Sequence, residues 1–130
     1  MSEDNIETVR GMYADFNSGN IPEGLGEMDS EIAWTEPGGG RAPSGTFDGP
    51  ESVGRDVFST VPENFDEFSA DADDLRDEDD KVIVTGRFRG KAKNGTELDA
   101  TFEHLFELRD GKVVRFEGKV DQEAWTRAWS

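Results

Sequence analysis

The chain has 130 residues, which is enough to bury one hydrophobic core and predicts a single domain over residues 1–130. It contains no cysteine and one histidine, which excludes disulfides and thiol-ligated metals and disfavours a zinc or copper site. We therefore expect no metal and no cofactor. The formal net charge of −16, from 30 acidic and 14 basic residues, disfavours nucleic acid and anionic membranes as partners, because like charges repel.

The acidic residues are spread along the whole chain, with one dense patch from Asp71 to Asp80, and arginine outnumbers lysine. This distribution is typical of a protein surface in a high-salt cytoplasm, where counter-ions screen the self-repulsion. An acidic tail or a cation-binding surface is the alternative interpretation. The start of the chain has no basic or apolar run, and no stretch approaches the roughly 20 apolar residues of a membrane span. We expect a cytoplasmic protein from a halophile.

The first half of the chain is predicted to be mainly helical. Apolar residues at helical spacing, acidic residues in the first turns and a terminal Asn-Ser-Gly predict a helix over Glu3–Ser18. Glycine and proline over Pro37–Gly45 predict an irregular loop long enough to cover a pocket. The remaining elements of this half are a short helix over Pro22–Met28, a strand over Glu31–Glu36 and a third helix over about Pro50–Thr60.

The second half alternates between apolar and polar residues, which is typical of antiparallel strands. The predicted strands are Phe65 to about Leu75, Lys81–Lys91, Thr96–Leu108 and Lys112–Val120, and a turn or short helix is predicted over Gln122–Trp129. Helices first and a meandering sheet afterwards indicate an α+β fold, in which helices cover one face of a curved antiparallel sheet.

The single histidine, His104, lies on the third of these strands. Strict alternation places it on one face with the apolar neighbours Leu98, Ala100, Phe102, Phe106 and Leu108. The same argument places Glu36 on the side of its strand that Trp34 occupies. His104 and Glu36 would make an acid/base couple if the carboxylate holds one ring nitrogen. The alternative is a core histidine that bonds a backbone carbonyl or Tyr13.

Four segments together resemble the SnoaL-like polyketide cyclases of the ketosteroid isomerase-like, nuclear transport factor 2 superfamily. They are Ile6–Tyr13, Ile32–Gly39, Gly45–Val53 and His104–Val113, and the resemblance covers nearly the whole chain. It implies a cone-shaped α+β barrel, with helices wrapped by a curved sheet, an apolar cavity at the wide end, and commonly a homodimer. It does not imply one reaction, because the superfamily includes isomerases, cyclases, hydrolases and non-catalytic members.

The sequence departs from the cyclases at Gly118. In the family an aspartate fourteen residues after the histidine serves as general acid and base inside the cavity, and this chain has glycine there. Alternation places Val114, Phe116, Gly118 and Val120 on the inner face. A β-bulge that re-aims Glu117 or Asp121 inwards would restore a carboxylate.

The candidate ligand-binding residues are aromatic side chains near these groups, for most of which core packing is the alternative. They are Tyr13, Trp34, Phe47, Phe58, Phe102, Phe106 and Phe116, together with Gly118. Trp34 and Phe47 flank the Gly/Pro loop and are the strongest of these candidates.

Two functions follow from these residues. In the first, the protein is a cofactor-independent isomerase, cyclase or hydrolase in which His104, assisted by Glu36, transfers a proton on an apolar carbonyl compound or an epoxide. In the second, the cavity binds a small apolar ligand without turnover, as in a carrier. The outer sheet face, where Arg87 and Arg89 alternate away from the core, is the predicted homodimer surface.

Overall fold

The computed structural model describes residues 2–130, and five short or medium α-helices lie in this range. They are α1 (Ser2–Ser18), α2 (Ile21–Leu25), α3 (Pro50–Val53), α4 (Thr60–Asn64) and α5 (Gln122–Ala128). A π-helical turn over Gly54–Phe58 joins α3 to α4, so the predicted third helix is divided into three pieces. A Cβ atom at Gly54 would lie 2.9 Å from Leu25 Cδ1, so glycine allows this turn to approach α2 closely. No helix among residues 2–130 is long and apolar enough to cross a membrane.

Six strands form one curved sheet in the order β2-β1-β6-β5-β4-β3. Their bounds are β1 (Met28–Pro37), β2 (Ser44–Asp48), β3 (Phe65–Glu78), β4 (Lys81–Ala92), β5 (Glu97–Arg109) and β6 (Lys112–Val120). The predicted α+β class is confirmed. Two details differ, because the sheet stays open between its edge strands β2 and β3, and β1 pairs with β6 in parallel. The strand β2 was not predicted, and its first two residues, Ser44 and Gly45, were assigned to the irregular loop.

The core lies between α1 and the concave face of the sheet. Val9, Met12 and Tyr13 of α1 pack there with Val82 and Val84 of β4. The alternation predicted for β5 is correct, since its inner-face residues Leu98, Ala100, Phe102, His104, Phe106 and Leu108 are all buried. A second cluster forms under α5, whose Trp125 and Trp129 pack with residues of β3 and β5.

The predicted orientation of β6 is wrong at its first half. The register with β5 shifts between Glu107 and Leu108, which pair with Arg115 and Val113 respectively, so Val114 is an extra residue in β6. Val113 is therefore buried, and Val114 lies on the outer face beside charged residues. Beyond the bulge Phe116 is buried as predicted, and Gly118 pairs directly with His104.

Neither Glu117 nor Asp121 is re-aimed into the interior. Glu117 lies 3.3 Å from the guanidinium of Arg115 on the outer face, and both side chains are more than two-fifths exposed. Asp121 is the N-cap of α5, where its carboxylate accepts from the backbone N–H of Ala124. The inner face of β6 therefore carries no carboxylate at or beside Gly118.

Candidate functional site

An apolar cavity of about 90 Å³ lies between the helices and the concave face of the sheet. Its walls combine α1, α2, the π-helical turn, the sheet and α5. The lining residues are Met12, Tyr13, Phe16, Ile21, Gly24, Met28, Trp34, Glu36, Pro43, Val57, Phe58, Val61, Phe68, Ala70, Phe88, His104, Phe106, Phe116, Trp125 and Trp129. An apolar cavity of about 150 Å³ can hold benzene, so a cavity of about 90 Å³ holds only part of a single-ring ligand. The other part of such a ligand must displace side chains or extend to the rim of the cavity.

Seven of the ten candidate site residues meet at this cavity. These are Tyr13, Trp34, Glu36, Phe58, His104, Phe106 and Phe116. They come from α1, β1, the π-helical turn, β5 and β6, so only the folded chain brings them together. Nearly all of the lining is hydrocarbon, and therefore the few polar atoms on its walls decide its chemistry.

His104 is held by Tyr13. The tyrosine hydroxyl lies 2.5 Å from Nδ1 of the imidazole, and the two rings come from α1 and β5. Burial lowers the pKa of His104 to about 3, and it raises the pKa of Tyr13, with a further increase from the charge of Glu36. Both groups are therefore neutral at neutral pH. We assign the tautomer in which the Tyr13 hydroxyl donates to Nδ1 and Nε2 carries the imidazole proton.

The surroundings of His104 explain why its cation is disfavoured. Its ring stacks on Phe102 at 4.0 Å between centroids, and the rings of Phe116 and Phe88 lie at 4.9 and 5.5 Å. Such rings offer little solvation to an imidazolium. Within residues 2–130, Nε2 has no hydrogen-bond partner, so its N–H is available to a ligand.

Glu36 forms the second polar pair, with Trp34. Its Oε2 accepts a hydrogen bond of 2.6 Å from the indole nitrogen of Trp34, and that indole stacks on Phe116 at 3.8 Å. Burial raises the pKa of Glu36 to about 7, and the hydrogen bond from Trp34 opposes this rise. The carboxyl is therefore poised between its two protonation states near neutral pH, as a general base or acid must be.

This arrangement corrects the predicted His104–Glu36 couple. Glu36 does not hold the imidazole, because its carboxylate is bonded to the indole two residues before it on the same face of β1. Tyr13, the alternative partner, occupies Nδ1 of His104 instead. Glu36 and His104 therefore line the same cavity, and each is held by a different residue.

Three candidate residues are not among the described residues that line the cavity. Phe47 pairs with Trp34 from the edge strand β2 and packs against the core at the margin of the sheet. Phe102 lies behind His104, in space that Gly86 leaves open, since a Cβ atom at Gly86 would come within 2.9 Å of the phenylalanine ring. Gly118 has no side chain to contribute.

Trp125 and Trp129 line the cavity and were not among the predicted site residues. Their spacing of four along the predicted terminal helix places both on one face, which was the available signal. What the sequence could not show is that this helix packs against β5 and brings both indoles to the cavity wall. Within residues 2–130, no three His, Cys, Asp or Glu side chains converge as a metal site.

Comparison with known proteins shows which family the chain resembles. The profile of the SnoaL-like domain matches residues 9–116. Among solved structures, Bal32a from a soil-derived mobile gene cassette is 30% identical, with 99% of this chain and 98% of that chain covered and a TM-score of 0.90. An NTF2-like protein of unknown function from Burkholderia pseudomallei is 26% identical, with 98% of each chain covered and a TM-score of 0.90.

A third similar structure contains a small molecule. TerC, co-crystallised with polyporic acid, is 26% identical, with 97% of this chain and 98% of that chain covered and a TM-score of 0.88. A search among curated proteins finds no significant match.

Proposed function

The chain belongs to the SnoaL-like domain family, and on that premise we propose that it transfers a proton on a small apolar carbonyl compound or epoxide. The observation that carries this proposal is the position of Glu36, whose half-buried carboxyl lines an apolar cavity. Desolvation there raises its pKa to about 7. An acid/base catalyst works best when its pKa is near the operating pH. The likeness to TerC, co-crystallised with polyporic acid, supports a small organic molecule as the occupant.

Glu36 and His104 take different roles in this reaction. The Glu36 carboxylate removes a proton from the carbon next to the carbonyl, and the C–H electron pair forms the enolate. Neutral His104 donates its Nε2 proton in a hydrogen bond to the carbonyl oxygen, as a neutral imidazole does when its pKa is too low to accept a proton. Trp34 and Tyr13 are positioning residues, since they hold the carboxyl and the imidazole.

The enolate has two outcomes that conserve atoms and charge. Glu36 can return its proton to a different carbon, which isomerises the ligand. The enolate carbon can instead attack a second carbonyl carbon of the same molecule, which closes a ring. The π electron pair of that carbonyl then passes to its oxygen, and the resulting alkoxide takes the proton from Glu36. With an epoxide, Glu36 takes a proton from water as the water oxygen bonds to one ring carbon, and the C–O bond of that carbon breaks. Its electron pair passes to the epoxide oxygen, which accepts a hydrogen bond from His104 and then takes the proton from Glu36.

A ligand carrier without turnover is the second candidate function. Gly118 favours it, because the position opposite His104 lacks the carboxylate that the resemblance to the cyclases implies. The backbone there is packed closely, since a Cβ atom at Gly118 would lie 3.3 Å from the ring of Phe116 and 3.5 Å from Cδ2 of His104. The enzyme needs the Glu36 carboxyl for proton transfer, whereas the carrier needs it at most for binding the ligand.

Hydrogen–deuterium exchange of acetophenone in D₂O separates the two functions. We expect the protein to accelerate deuterium incorporation into the methyl group, and Glu36→Gln to reduce this acceleration by about a hundredfold or more while acetophenone still binds. Glu103→Gln, on the exposed face of β5, is the matched control and should exchange like the wild type. Binding of acetophenone without accelerated exchange by the wild type would favour the carrier. Failure to bind would contradict both functions.

We also propose that this protein is a single domain, is cytoplasmic, works at high salt and pairs with a second copy through the outer sheet face. The spread of its acidic residues supports the salt dependence. The outer face carries Arg87, which pairs with Asp99 at 2.9 Å, and Arg89 near Asp71. A melting temperature that rises from low salt to molar KCl would support the salt dependence. A molecular mass in solution of twice that of the chain would support the homodimer. A melting temperature that does not change with salt would contradict the first proposal, and a monomeric mass would contradict the second.

A further inference from the structure

Trp125 and Trp129 each bury an indole N–H that has no acceptor. The two side chains are 3% and 2% exposed, both line the cavity, and neither Nε1 atom has a hydrogen-bond partner within residues 2–130. Buried donors are nearly always paired in native proteins, so two unpaired donors side by side require an explanation. They lie four residues apart, one at the last turn of α5 and one at its C-cap.

The third tryptophan shows how a buried indole is satisfied in the same cavity. Trp34 donates to the carboxyl of Glu36 at 2.6 Å. The surroundings of the other two indoles hold rings instead. Phe65 meets Trp129 edge-on at 5.0 Å, and Phe88 lies 4.6 Å from Trp125. No oxygen of residues 2–130 accepts these two protons, and a ligand in the cavity that both rings line can supply an acceptor.

We propose that the indole N–H groups of Trp125 and Trp129 form a donor pair that binds an acceptor oxygen of the ligand. This inference rests on the proposed function and narrows its substrate class. Glu36 and His104 engage the reacting carbonyl, so the oxygen at the donor pair is a second one, carried by the same apolar molecule. The substrate is therefore a ring compound with two separated oxygen functions, the second being a carbonyl, ether or hydroxyl.

The position of Trp125 relative to His104 is consistent with such a ligand. The ring of Phe88 is a neighbour of both, with its centroid 5.5 Å from that of His104 and 4.6 Å from that of Trp125, so the two polar sites share one aromatic contact. Both indole nitrogens are closed to water, although their rings line the cavity. Binding therefore includes a rotation of the indoles towards the ligand. The C-terminal end of α5 is tied to the glycine-rich loop, where the N–H of Arg41 donates to the carbonyl of Trp129 at 2.9 Å.

Two probes of the same shape test the donor pair. 4-Methoxyacetophenone carries a second acceptor oxygen, and 4-ethylacetophenone replaces that oxygen by a methylene. We expect the wild type to bind the methoxy compound about tenfold more tightly in calorimetry, as a pair of buried hydrogen bonds would give. Trp125→Phe and Trp129→Phe remove one donor each while keeping an aromatic ring, and each should reduce this preference without weakening binding of the ethyl compound to a similar extent.

A spectrum of the unmodified protein provides a readout that needs no variant to fold. With ¹⁵N-labelled tryptophan, the indole protons of Trp125 and Trp129 should shift downfield on adding the methoxy compound and stay nearly unshifted with the ethyl compound. Equal affinity for the two probes, or indole shifts that do not distinguish them, would overturn the donor pair and leave the proposed function intact. Failure of both probes to bind would overturn both the donor pair and the proposed function.

Discussion

The two polar pairs of the cavity, Tyr13 with His104 and Trp34 with Glu36, respond to the same burial in opposite ways. Burial disfavours charge in both, so it lowers the pKa of His104 to about 3 and raises the pKa of Glu36 to about 7. Both groups move towards their neutral forms, but only the carboxyl ends near physiological pH. We therefore expect Glu36, and not the single histidine of the chain, to be the group that exchanges protons near neutral pH.

The largest expected effect comes from removing the anchor of the carboxyl. Trp34 is 5% exposed and stacks on Phe116, so Trp34→Ala loses buried ring area and leaves Glu36 without its donor. We expect a loss of about 3 to 5 kcal/mol in the free energy of unfolding, measured by denaturant titration. Trp34→Phe, which keeps a ring, should cost less. A loss below about 1 kcal/mol for the alanine variant would show that Trp34 faces open space and does not pack as core.

The pH dependence of stability is the next effect in size. Because the pKa of Glu36 is raised from 4.5 to about 7, its stabilising contribution is full below pH 4.5 and is lost as the pH rises to 7. For His104 the pKa falls from 6.5 to about 3, so its contribution is gained as the pH rises through that window. The two slopes oppose each other between pH 4.5 and 6.5.

Single variants should separate the two slopes. Relative to the wild type, Glu36→Gln should gain stability as the pH rises from 4.5 to 7, by up to about 3 kcal/mol. His104→Gln should instead gain stability relative to the wild type as the pH falls below 6.5, because only the wild type then loses the contribution of a neutral histidine. Unfolding curves at a series of pH values measure this, with the exposed Glu103→Gln as control. Parallel profiles for Glu36→Gln and the wild type would mean that Glu36 titrates alike in the folded and unfolded chain.

A smaller effect is expected at the anchor of the imidazole. Tyr13→Phe removes the hydroxyl that bonds Nδ1 of His104 and leaves a buried ring nitrogen unpaired. We expect a loss of about 1 to 3 kcal/mol. Combined with His104→Gln in a double-mutant cycle, the two losses should be less than additive, since both remove the same hydrogen bond. Additive losses would contradict the coupling.

The spacing of apolar residues along the chain predicted the single helices and strands and the face that each of them buries. The alternation of β5 placed His104 on the inner face, and the N-terminal periodicity gave α1 to within a residue. The prediction for β6 failed at Val114, because the sequence does not mark the bulge that shifts its register. The parallel pairing of β1 with β6 joins segments distant in the chain, so no local signal predicted it.

Most of the predicted site residues line the cavity, and the partner of His104 was left open between Glu36 and Tyr13. Tyr13, Glu36 and His104 do reach one cavity. Which of them bonds the imidazole depends on how α1 lies across the sheet, and periodicity carries no information on that. The indoles of Trp125 and Trp129 were missed for the same reason, since the docking of α5 onto β5 is a tertiary event.

The account depends most directly on the protonation of Glu36 and His104 in the folded protein. We would record the ¹³C resonance of the Glu36 carboxyl and the imidazole resonances of His104 in one NMR titration from about pH 4 to pH 9. We predict that the Glu36 carboxyl titrates with a midpoint near pH 7 and that the His104 imidazole stays neutral over the whole range. A carboxyl that titrates near its ordinary pKa of 4.5, beside an imidazole that titrates near 6.5, would contradict this prediction and make His104 the main candidate for proton transfer.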